Sequence, residues 1–89
     1  MNTNVNHTRI NSVEYVIVDP VKIGQRIQTL RKENHMRVTD ISEQLGLTGP
    51  QAVYKWMSGK CIPEMGNMIM LSRMFHTTVE ELVLGESVS

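Results

Sequence analysis

The side chains best suited to metal or nucleophilic chemistry in this 89-residue chain are His7, His35, His76 and Cys61. They are scattered, with none of the paired Cys or His spacing that a structural zinc site requires. One cysteine can form no internal disulfide, so the fold must stand on packing alone, as suits a reducing cytoplasm. Catalysis needs a nucleophile beside a base in a cleft, and a chain this short buries one modest core with little surface to spare. The expectation is therefore no enzyme, no metal, no cofactor and no small-molecule ligand.

Charge offers a different chemistry. The chain is neutral overall, but unevenly so. Between Lys22 and Lys60 seven basic residues (Lys22, Arg26, Arg31, Lys32, Arg37, Lys55, Lys60) face three acidic ones (Glu33, Asp40, Glu43). From Cys61 onward Arg73 faces Glu64, Glu80, Glu81 and Glu86. Such a basic middle with an acidic tail either presents one positive face to phosphates or is ordinary solvated helix charge. Composition, 40% hydrophobic and 20% charged, is that of a soluble globular protein. No apolar run approaches the roughly 20 residues needed to cross a bilayer, and the polar start has no secretory pattern. A cytoplasmic protein without a membrane partner is expected.

Five short helices position these residues. Residues 1–12, rich in Asn and Thr, read as a flexible arm. Residues 13–18, dense in β-branched residues and Tyr15, read as a short strand or an extended lead-in stopped at Asp19 and Pro20. Pro20 opens a helix, with Ile23, Ile27 and Leu30 on one face and an end near Asn34 and His35. A second short helix carries Ile41 and Leu45, with Gly46 as its left-handed cap. The turn runs over 47–50, with Thr48 or Gly49 capping a third helix whose first position is Pro50. Val53 and Trp56 point inward from that helix, which puts Trp56 in the core rather than on a base-stacking platform. Met68, Leu71 and Phe75 stripe the fourth helix, whose other methionines (Met65, Met70, Met74) are plastic core or dimer contact. Thr78 and Glu81 form a capping box that opens a fifth helix through Val79, Leu82 and Val83, ended at Gly85. The domain plan is an arm over 1–20, a helical unit over 21–84 and a tail over 85–89.

Helix two, a turn containing Gly46 and helix three fit into about twenty residues, the layout of a helix-turn-helix. The string from Leu45 to Lys60 (LGLTGPQAVYKWMSGK) resembles the Cro/C1-type (Xre-like) helix-turn-helix family. The stretch from Ile23 to Glu33 resembles that family's first helix, and Pro63 through Leu82 its last two. This resemblance implies an all-α fold: a compact five-helix bundle of the lambda-repressor-like type, with an extended N-terminal arm or short strand. It further implies a sequence-specific regulator of transcription, a repressor acting as a homodimer, with helix three (about 50–58) in the major groove of double-stranded DNA.

Position by position, the resemblance assigns base reading to the outer face of helix three, here Gln51, Tyr54 and Lys55. A Gln amide can pair at two points with adenine, Lys55 can donate to guanine or to phosphate, and Tyr54 can meet a thymine methyl or a phosphate. Phosphate contact falls to Arg37, Thr48, Ser58 and Lys60, with backbone amides near Arg37 and Thr48 assisting; the alternative for Thr48 is a cap alone and for Ser58 a helix end alone.

The chain departs from the family pattern in three places. Arg37 and Val38 replace a polar cap and a glutamine. Met57 replaces a glutamate that would pair with Arg31, leaving Arg31 open to face phosphate. The turn through Thr48, Gly49 and Pro50 is one residue longer. A second reading uses the same scaffold as a protein-interaction module or antitoxin-like partner. For the dimer, residues 13–18 have no strand partner in a helical chain, so a copy from a second subunit is the expected one; Val79, Leu82, Val83 and Leu84 with the spare methionines offer another contact.

Overall fold

The computed structural model describes residues 7–10 and 13–85. Among them are five helices: α1 (Pro20–Glu33), α2 (Val38–Gln44), α3 (Gln51–Met57), α4 (Met65–Met74) and α5 (Val79–Leu84). The starts follow from local chemistry. Asp19 accepts from the amide of Val21 at 3.0 Å and precedes Pro20, whose fixed φ suits the first turn. At α5 the Thr78 hydroxyl accepts from the Glu81 amide (3.0 Å) while the Glu81 carboxylate accepts from the Thr78 amide (3.1 Å), the reciprocal box expected there.

The ends share one device. After each of α1 to α4 a residue in the left-handed region turns the chain, and the following amide bonds back five residues. These bonds are Met36 to Arg31, Leu47 to Ser42, Lys60 to Lys55 and Thr77 to Ser72, all within 2.8–3.0 Å. Gly46 takes that position after α2 at φ +70°, where a side chain would be strained. After α1 and α4 it is filled by His35 and His76, at φ +55° and +57°.

One core gathers from all five helices: Ile23 and Ile27, Val38 and Ile41, Val53 and Trp56, Met68, Leu71 and Phe75, and Leu82. Leu30 and Leu45 are only partly buried and pack on its edge. Val38 and Leu84 are buried although the sequence pattern did not place them in the core. Of the fourth-helix methionines, Met68 is core, Met74 packs against it, and Met65 and Met70 are exposed. Since Leu82 and Leu84 close the core of their own chain, they are not spare surface for a second subunit.

Outside the bundle, β1 (His7–Ile10) and β2 (Val13–Val16) pair antiparallel, with Arg9 opposite Glu14 and Ile10 opposite Val13. For residues 7–10 this differs from the expected flexible arm; the short strand or extended lead-in expected over 13–18 is a strand over Val13–Val16, with its partner in the same chain rather than in a second subunit. Four residues of the supposed arm satisfy the ladder within the chain. Residues 1–6, 11, 12 and 86–89, which include most of the expected tail, lie outside the described residues.

Candidate nucleic-acid interface

The second and third helices set the site. Gly46 turns the chain after α2 in the left-handed region, and Val53 and Trp56 anchor α3 inward. Ala52 and Met57 are half-buried against the same core, and the remaining residues of α3 face out. Gln51 and Lys55 are exposed, one helical turn apart, and Tyr54 is 57% exposed. The amide of Gln51 lies over Gly49, where a side chain at 49 would begin. Three side chains with hydrogen-bonding heads thus share one exposed face, a pattern suited to contact with the edges of a polar ligand rather than to catalysis.

The remaining predicted residues lie at the start of α2, in the turn before α3 and just after α3, and all are exposed. Ser58 and Lys60 follow the carboxyl end. The Ser58 hydroxyl donates to the Lys55 carbonyl at 3.1 Å, as does the Lys60 amide at 3.0 Å, which leaves the ammonium of Lys60 exposed. Thr48 is exposed in the turn and caps nothing, since no side chain caps the start of α3. Pro50 itself takes the capping position, with helical φ and ψ of −82° and −1°, so α3 begins at Gln51, one residue later than the sequence suggests.

Arg37 stands at the start of α2, with its side chain 79% exposed. Asp40 holds it from three directions: the Arg37 amide donates to the carboxylate at 2.8 Å, and the guanidinium donates at 2.9 and 3.2 Å. These bonds, the side-chain one foremost, hold the Asp40 carboxyl below its ordinary value and push Arg37 above its own. A guanidinium has no acceptor to return the bond, so the box is one-sided. Its amide is engaged, and its outer N–H groups remain available. Arg31 is not open to an outside anion in the way its missing glutamate suggests. It donates to the Met36 carbonyl and to the Gln28 side chain, each at 3.0 Å, and so ties the end of α1.

Two further residues, neither singled out from sequence, join helices around the site. Arg26 donates to the carbonyls of Leu82 (3.3 Å) and Val83 (2.6 Å) at the carboxyl end of α5, where a cation is favoured. Partial burial lowers its pKa against the opposing charge of Asp19. It also lines an open cleft of about 460 Å³ between α1 and α5, together with Lys22, Thr29, Thr77 and Glu81. Gly24, buried in α1, faces the end of α3. A Cβ there would come within 2.7 Å of the Met57 carbonyl oxygen and closer still to that of Trp56. A glycine between two isoleucine-face positions was the only sequence signal for this contact. Among the described residues no three His, Cys, Asp or Glu gather to hold an ion, and no helix is long and apolar enough to cross a membrane.

No family model matches the chain. Over 66 residues it is 32% identical to the HTH-type transcriptional activator BcrR of Enterococcus faecalis. That match takes in 74% of this chain and 32% of the relative, so the chain spans about a third of that protein's length. Its fold superposes on the P22 c2 repressor, solved with a synthetic operator, at a TM-score of 0.67 and 23% identity, over 72% of this chain and 96% of that one. The restriction-modification controller protein C.AhdI from Aeromonas hydrophila superposes at 0.64 and 25% identity over the same shares. Helix order, the tight turn before α3 and these matches agree on the fold: the helical unit is a lambda-repressor-like helix-turn-helix bundle, similar in sequence to an HTH-type regulator.

Proposed function

We propose that this chain is a transcriptional regulator of the repressor kind, binding double-stranded DNA as a homodimer through its helical unit over 21–84, with α3 in the major groove. The observation that carries this reading is the outer face of α3, where Gln51, Tyr54 and Lys55 project from a helix anchored on its other side by Val53 and Trp56. Gln51 reads adenine and Lys55 guanine or a phosphate, while Tyr54 contacts a thymine methyl or a phosphate. Arg37, Thr48, Ser58 and Lys60 hold the backbone on either side. An operator-bound repressor with the same fold supports this reading, and the activator among the sequence relatives supports the regulatory role though not its sign.

Neutral overall charge makes the affinity of the unit depend on placement rather than on sum. The test is binding to a duplex selected by the protein from a random library, measured beside an unselected duplex across a salt series. Gln51→Ala should cost about 1–3 kcal/mol on the selected duplex alone, whereas Lys60→Ala should weaken both duplexes and flatten the salt slope by about 1. A wild-type chain that binds neither duplex at low salt would favour the protein-interaction reading instead.

The homodimer rests on exposed apolar surface. Val16, Ile17 and Val18 are about half exposed beside the hairpin, and Met65, Ile69 and Met70 line the outer side of α4. Sedimentation of the full chain beside one starting at Asp19 separates the two. Loss of the dimer on truncation assigns it to the N-terminal segment, an unchanged dimer assigns it to α4, and a full-length monomer at tens of micromolar removes the dimer.

A further inference from the structure

We propose that Gly24 is a positioning residue for DNA recognition: by lacking a side chain it sets the seat of α3 on α1, and with it the pose of the α3 face that reads bases. This rests on the DNA-binding reading above and deepens it.

The contact is between backbones. Any Cβ at position 24 would fall 2.7 Å from the Met57 carbonyl oxygen, 2.9 Å from its carbon, and nearer still to the Trp56 oxygen. Those atoms belong to the last turn of α3 and cannot rotate aside as a flexible side chain would. Gly24 is buried, and its neighbours on the same face, Ile23 and Ile27, are fixed in the core. A methyl group there must therefore move the carboxyl end of α3 relative to α1. Gln51 is the first residue of that helix and Lys55 lies in its last turn. A rigid element seven residues long carries any displacement at one end to every side chain on it. Recognition tolerates about 0.5 Å of misplacement, because hydrogen bonds to base edges are short and directional. Contacts to phosphates, made by long flexible side chains such as that of Lys60, tolerate more.

A shift of α3 thus costs discrimination before it costs general affinity. A residue that merely stabilises the fold would not act this way, since it lowers binding to all duplexes together by lowering the folded fraction.

The test compares Gly24→Ala with Gly66→Ala. The second site has nothing within 4 Å of a new Cβ and controls for the general effect of placing alanine in a helix. Three quantities are read: the melting temperature, the emission of the single tryptophan Trp56 without DNA, and the ratio of affinities for the selected and unselected duplexes. Gly24→Ala should shift Trp56 emission and lower the affinity ratio about tenfold or more, with binding to the unselected duplex within about twofold of wild type. Gly66→Ala should change neither.

Val21→Ala is the second variant. Val21 packs against Gly59, just beyond the end of α3, so trimming it loosens the same seat without adding an atom. It should lower the ratio in the same direction by a smaller factor. Unaltered ratios in both variants overturn the proposal, as does a Gly24→Ala chain that fails to fold beside a Val21→Ala chain of wild-type ratio. If wild type binds no DNA, the functional reading fails. A shifted Trp56 emission in Gly24→Ala would then still support the seat, and an unshifted one would refute it.

Discussion

Trp56→Ala tests the register of α3 more directly than any other single change. The indole is 4% exposed, packed in the core with Val53 one turn before it. Deleting a buried aromatic of this size costs about 3–5 kcal/mol, combining lost transfer energy and the cavity left behind. A domain of this size has on the order of 4–13 kcal/mol in all, so the variant gives up a large part of its stability. At about 4–8 °C per kcal/mol for a domain of 60–100 residues, the melting temperature should fall by roughly 12–40 °C. Far-UV circular dichroism is the assay, since the variant removes the only tryptophan signal. Tyr54→Ala supplies the comparison. It lies two residues away on the same helix but is 57% exposed, so it should shift stability by no more than about 0.5 kcal/mol. Equal costs, or a reversed order, would mean that α3 is rotated from the position described and that the exposed face carries different residues.

Other measurements check separate parts of the structure. Arg26→Met should cost about 1–3 kcal/mol, because the carbonyls of Leu82 and Val83 lose a charged donor, and thermal melting would show it. Thr78→Val should cost about 1 kcal/mol through loss of the α5 cap, read from the same assay. Asp40 is held below its ordinary carboxylate value, so what it adds to stability is present above the unfolded value near ~3.9 and is lost as pH falls through its lower folded value. A carboxyl NMR titration should show that value rise in Arg37→Gln; an identical titration in both proteins would refute the pairing. His35→Gly and His76→Gly should each raise stability by up to about 1 kcal/mol by relieving left-handed backbone, and a lower melting temperature would count against the strain.

Much of the bundle was legible because its signals are local. Pro20 after an aspartate, the Thr78 box and Gly46 after Leu45 mark helix ends within a few residues of one another, and apolar spacing at three and four residues places Ile23, Ile27, Val53 and Trp56 inward. Gln51, Tyr54 and Lys55 were assigned to the outer face through the resemblance to a known family rather than through spacing, and all three are exposed. What was missed depends on partners distant in the chain. Arg26 reads as one more surface cation until α5 arrives beside it, and Gly24 as a weak point in a helix until α3 ends against it. Arg31 lacks the expected acidic partner, yet a backbone carbonyl five residues on serves instead. The strand pairing failed for a compositional reason: His7, Thr8 and Arg9 show no apolar alternation, and a two-stranded ladder needs none to satisfy its backbone groups.

The bond from Arg26 to the end of α5 bears on the order in which the chain assembles. It joins residues 56 and 57 positions apart, whereas the turns that end α1 to α4 close over five. Long closures are entropically costly and form late, after local contacts have shortened the path between their ends. A helix of six residues is also too short to persist in water unaided. Folding should therefore finish at α5, and opening should begin there. In native-state hydrogen exchange the amides of α5 should form the first cooperative unit to exchange, at a free energy below that of α1, with Arg26→Met lowering it further while leaving the central amides of α1 to exchange only through global unfolding.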